Sequence, residues 1–105
     1  MMRLSEPQRD TVILLTECFF GEGSHLWLFG SRVDDKKRGG DFDFYIETPI
    51  ADAKVLFKER LQFLQALHDT SAFTDEKIDL VVHSPLLGPR LPIATIATEE
   101  GIRLL

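Results

Sequence analysis

The chain contains a single cysteine, Cys18, so it can form no internal disulfide and no cysteine-rich zinc site. Long hydrophobic runs are also missing. The longest clean ones span four residues, such as Val12-Ile13-Leu14-Leu15, far short of the roughly 20 needed to cross a membrane. Basic residues are scarce: Lys plus Arg total 12 against 17 Asp plus Glu, a formal net charge of −5. A protein that coats nucleic acid needs a basic face for the phosphates, so this balance argues against a nucleic-acid partner. It favours a metal-binding site or a basic partner instead. No internal repeat or low-complexity segment is present. Met1 to Glu6 places an acid where a secretory signal would carry its apolar stretch, and the expectation is a soluble, cytoplasmic protein.

What is present reads as one ordered domain over residues 1–105, with 44% hydrophobic and 28% charged residues. A chain of this size buries roughly two-thirds of its unfolded surface, enough for a modest core. Ser5-Glu6-Pro7-Gln8 is a helix start, with Ser5 as cap, Gln8 closing a capping box and Pro7 in the first turn. Val12, Ile13, Leu15, Phe19 and Phe20 follow helical spacing, and Gly21 and Gly23 stop the helix. Cys18 in this helix reads as a small core residue. His25 to Phe29 predicts a short strand. A charged connection, 32–40, follows, and Asp41 to Glu47 alternates polar and apolar as a second strand should.

Residues 51–68 predict the longest helix, with Ala53, Leu56, Phe57, Leu61, Leu64 and Leu67 on one stripe that Val55 and Phe63 widen. Lys77 to His83 predicts a third strand, and the proline-rich stretch from Ser84 to Pro92 a loop. A short helix from Ile93 to Glu100 is expected to end on Gly101, with a last strand in Ile102 to Leu105. The order points to an α/β fold, a small mixed β-sheet with flanking helices. The 31–40 connection is too short for a crossover helix, so the first two strands are expected to pair antiparallel. Trp27 and the eight phenylalanines are expected in the core. His25, His68 and His83 show no ligand spacing, and surface or rim positions are expected for them.

Three acids stand where strands are expected. Asp41 and Asp43 are two apart and share a face, while Phe42, Phe44 and Ile46 point the other way. Asp79 interrupts the apolar strand Ile78-Asp79-Leu80-Val81. If that strand lies beside the second, three carboxylates meet on one patch. Clustered carboxylates repel one another unless a cation neutralises them, and oxygen-only ligands suit Mg²⁺ or Mn²⁺. Two such ions about 3.5–4 Å apart serve phosphoryl and nucleotidyl transfer. Gly30-Ser31 at a strand end lets backbone approach a phosphate closely, and Arg32, Lys36, Lys37 and Arg38 form the one basic concentration. The bland alternatives are an ordinary turn at Gly30-Ser31, strand-edge aspartates, a lysine partner for Asp79 and a solvated basic loop.

Gly30-Ser31, then Gly40-Asp41-Phe42-Asp43-Phe44, then Ile78-Asp79-Leu80 resembles the strand-borne signature of the nucleotidyltransferase superfamily. The short chain resembles its minimal members, and Ile96 to Leu105 is similar to their closing segment. The resemblance implies a nucleotidyltransferase-like fold. It implies that Gly30, Ser31 and, as a further phosphate contact, Arg32 bind the nucleotide, and that Asp41, Asp43 and Asp79 hold two Mg²⁺ ions. The implied reaction is attack of an acceptor hydroxyl on the α-phosphate of a nucleoside triphosphate such as ATP, with Asp79 helping to activate the hydroxyl.

With 26 residues after Asp79, the acceptor is expected on something else. The resemblance implies a helical HEPN-type partner, with this chain as the antitoxin that adds AMP to it; a second copy of the chain is the other source. Two alternatives stand beside it: a transferase acting on a small molecule of the aminoglycoside type, and an antitoxin that works by binding alone. Gly40 stands where many relatives have serine, and Tyr45 shares the face of Asp41 and Asp43 where an aliphatic residue is commoner. Tyr45 is expected to pack at the sheet rim.

Overall fold

The computed structural model describes residues 4–30 and 41–105. The first helix, α1 (Glu6–Phe20), begins as its sequence dictates: the Ser5 hydroxyl accepts from the Gln8 amide at 3.2 Å and the Gln8 side chain accepts from the Ser5 amide at 3.0 Å. Its fully buried positions are Val12, Thr16 and Phe20, four apart and therefore on one stripe. Thr16 joins the apolar face because its hydroxyl donates to the Val12 carbonyl at 2.6 Å, which leaves no polar group unmatched. Cys18 lies half a turn away from that stripe and is exposed, not a core residue.

Strand β1 (His25–Phe29) pairs antiparallel with β2 (Phe42–Glu47), as the short connection requires. Helix α2 (Ala53–Asp69), capped by the Asp52 carboxylate on the Lys54 and Val55 amides, carries the chain over to β3 (Ile78–His83), which runs parallel to β2. Helix α3 (Pro92–Glu100) and the two-residue β4 (Ile102–Arg103) follow, and β4 pairs antiparallel with β1. The sheet order is β3-β2-β1-β4, a mixed four-stranded sheet flanked by helices.

Leu26, Leu28, Phe42, Phe44, Ile46 and Leu80 point to one face and meet Val12, Phe20, Phe63 and Leu67 of α1 and α2. Phe73 closes this core edge-on to Phe42 at 5.3 Å. The buried face of α2 follows only part of the expected stripe, with Leu56 and Leu64 packed against the core. Phe63 and Leu67 are buried, whereas Ala53, Val55, Phe57 and Leu61 are exposed, Phe57 at 63%. Arg60 takes a half-buried position on the inward side, and its guanidinium donates to the Leu80 carbonyl of the edge strand at 3.1 Å.

The other face carries Phe29 and Tyr45, covered by α3 through Ala94 and Ala97. The small residues let the helix approach, and Gly101 completes the approach: a Cβ there would stand 2.7 Å from the Leu28 carbonyl oxygen. The expected helix stop at Gly101 is therefore set by lack of space, with an ordinary φ of −85°. Tyr45 is fully buried under this helix, so it is a core residue and not a rim residue. Among the described residues, no helix is long and apolar enough to cross a membrane.

Candidate metal and nucleotide site

The pleat of β2 sends Asp43 to the α3 side of the sheet, opposite Phe42 and Phe44. The parallel register sets Asp43 directly beside Asp79, and Asp41, one pleat earlier, shares their face. The fold thus brings Asp43 beside Asp79, with Asp41 near enough for its charge to act on Asp43. α3 covers the centre of this face and leaves the acidic end uncovered: Asp41 and Asp43 are half-buried and Asp79 is exposed.

The electrostatics follow from the crowding. The Asp43 carboxyl is pushed up from 3.8 to about 6, first by burial, then by the negative charges of Asp79 and Asp41, and by a hydrogen bond with Asp79 that needs a proton. Asp41 has a partial counter-charge in Lys77, whose Nζ lies 3.4 Å from its Oδ2. Lys77 precedes Asp79 as Asp41 precedes Asp43, and this in-register lysine went unread in the sequence. The lysine expected as an alternative partner for Asp79 thus serves Asp41. Among the described residues, no three His, Cys, Asp or Glu side chains are already gathered into a metal cage. The donor chemistry nonetheless fits a hard divalent cation: carboxylate oxygens alone, on one face, with one ammonium to offset three negative charges.

Gly30 ends β1 at the same corner, because Phe29 is paired with Asp43. Its φ is +74°, and a Cβ at this position would collide with the Asp43 carboxylate. Both facts demand glycine, so the Asp43 side chain has its place because residue 30 has none. Ser31, Arg32, Lys36, Lys37, Arg38 and Gly40 lie outside the described residues.

Sequence reasoning sets His83 on the face of Asp79, four residues on, with an accessory role open to it, but misses how the opposite end of this face is assembled. His83 was expected at the surface or rim but is 8% exposed, and the register aligns His25, Glu47 and His83 side by side across three strands. Tyr45 donates to Glu47 Oε2 at 2.9 Å; burial, first, and then this carboxylate raise the phenol's pKa. The signal was available as period-two spacing from Asp43 through Tyr45 to Glu47 and from Asp79 through Val81 to His83. Comparison with known proteins gave no matching family model and no matching curated protein.

Proposed function

We propose that this chain is a Mg²⁺-dependent nucleotidyltransferase of the minimal, nucleotidyltransferase-like fold. It transfers a nucleoside monophosphate, AMP from ATP, to a hydroxyl on a HEPN-type partner protein, and so serves as a cytoplasmic antitoxin. The observation that carries the reading is the Asp43–Asp79 pair in register, seated against Gly30, with Asp41 one pleat away. A strand end, a glycine whose positive φ and missing Cβ leave room for Asp43, and a carboxylate pair at one corner combine close backbone approach with negative charge in need of a cation.

Mg²⁺ or Mn²⁺ held by Asp41, Asp43 and Asp79 would supply charge neutralisation for the triphosphate and the leaving pyrophosphate. Asp79, the most exposed of the three, would take the proton of the incoming hydroxyl, and its exposure supports that role. Lys77 holds Asp41 in the cation-free form and is free to turn to a phosphate once a cation takes its place. Gly30 keeps the corner open for Asp43, and Ser31 and Arg32 act on the phosphates in this reading. α3 and β4 pack on the sheet, which leaves them no role as an acceptor-binding lobe.

The test is incubation with α-labelled ATP, Mg²⁺ and the product of the gene beside it. Label is expected on the partner and is expected to vanish in the Asp41→Asn, Asp43→Asn double variant. Label that persists in the double variant places the chemistry elsewhere. A wild-type protein that silences the partner without transferring label acts by binding alone.

A further inference from the structure

The far end of the α3 face holds a second group of polar side chains, around a cleft that the nucleotide site does not use. A cavity of about 460 Å³ is lined by Glu47, His83, Arg90 and the rings of Pro85 and Pro89. A second, of about 320 Å³, adds His25 and shares Glu47 and Pro85 with the first. Such volumes and a few convergent polar groups are properties of small-molecule sites.

Three features make this a built site. His83 is 8% exposed, and its imidazole nitrogens have no hydrogen-bond partner among the described residues. A buried polar group without a partner is costly and rare, and it lines the cavity. Glu47 is held by the Tyr45 hydroxyl on Oε2, which leaves Oε1 for another donor. Arg90 is held by its Nη2 bond to Thr98 Oγ1 at 2.8 Å. Glu47 and Arg90 therefore line one cleft as opposite charges, each fixed by its own partner and not by an ion pair with the other.

The row His25, Glu47, His83 invites a transition metal, but the bonding argues otherwise. His25 Nδ1 lies 2.9 Å from Arg103 Nη2. A guanidinium can only donate, so Nδ1 accepts and Nε2 carries the proton, which removes both nitrogens as ligands. No metal cage is gathered there among the described residues.

We propose that this cleft binds a small zwitterion of the α-amino-acid class, free or as the ends of a short peptide. Its carboxylate lies on Arg90, its ammonium on Glu47, and His83 hydrogen-bonds between them. The proline walls suit an apolar side chain.

The test uses the intact protein with ¹³C at histidine Cε1, titrated with leucine, glycyl-leucine, N-acetyl-leucine, leucinamide and Zn²⁺. Leucine or glycyl-leucine is expected to move the His83 and His25 signals and leave His68, outside the cleft, in place. The stronger of the two identifies the source as free amino acid or peptide. N-acetyl-leucine lacks the ammonium and leucinamide the carboxylate, and each is expected to bind at least about tenfold more weakly. Glu47→Gln is expected to erase the penalty for N-acetylation, and Arg90→Gln the penalty for the amide. Glu47→Gln keeps side-chain size and Arg90→Gln shortens the side chain, and unchanged backbone spectra would show the fold intact in both. No movement at His83, equal binding of all four compounds, or a response to Zn²⁺ alone would overturn the proposal.

Discussion

The two faces of the sheet are built on opposite rules. The face under α1 and α2 is apolar from end to end, and Phe42, Phe44, Phe63 and Phe73 fill it without exposure. The face under α3 is apolar only at its centre, at Phe29 and Tyr45, and carries ionisable groups at both ends. The same residues of β2 serve both faces by alternation. The difference teaches that packing and charge are divided by side of sheet: the closely packed apolar groups lie on one face and the mutually repelling carboxylates on the other.

The division is broken most severely from the packed side. Phe44→Ala removes a fully buried ring from the centre of the core. It is expected to cost about 3–5 kcal/mol in denaturant-induced unfolding. A loss under about 1 kcal/mol would mean that the core does not rest on this face. Gly30→Ala tests the corner where the two faces meet. A positive φ and a collision with Asp43 are expected to lower stability by about 1–3 kcal/mol, and the displaced carboxylate to weaken divalent-cation binding as well.

Asp43→Asn sharpens the comparison, because here the sign reverses. Folding raises the Asp43 pKa from 3.8 to about 6, so the folded state favours the protonated form. The group's stabilising contribution is complete below about pH 3.8 and is lost as the pH rises through about 6. In metal-free buffer the asparagine variant is expected to exceed the parent by about 1 kcal/mol at pH 7.5, after allowance for solvent screening, with the difference closing toward pH 4. Urea unfolding at both pH values measures it. The smallest effect belongs to Cys18→Ser, an exposed site away from both faces, expected within about 0.5 kcal/mol of the parent in the same assay.

Much of this architecture was legible because local rules and tertiary packing agree. The capping box at Ser5 and Gln8, the alternation from Asp41 to Glu47 and the short first connection all led to the elements found. The meeting of Asp43 and Asp79 was legible too, since period two and one strand pairing suffice to bring them side by side. The misses have a common cause: periodicity tells which residues share a face, not what covers it. Nothing local announces that α3 buries Tyr45, that His83 lies inside, or that Arg60 is half-buried on α2 while Phe57 is exposed. Gly30 was read as permissive for backbone, while its second role, room for the Asp43 carboxylate, needed the register of β1 against β2. Ser31 and Arg32 lie outside the described residues.

The claim at the centre of the account is that the acidic end of the α3 face is a divalent-cation site. Mn²⁺ titration followed by electron paramagnetic resonance, with and without ATP, tests it most directly in the intact protein and in the Asp43→Asn, Asp79→Asn double variant. The expected result is saturable binding by the parent that ATP strengthens and the double variant loses while remaining folded. Failure of the parent to bind Mn²⁺ under either condition, or equal binding by the double variant, would contradict it.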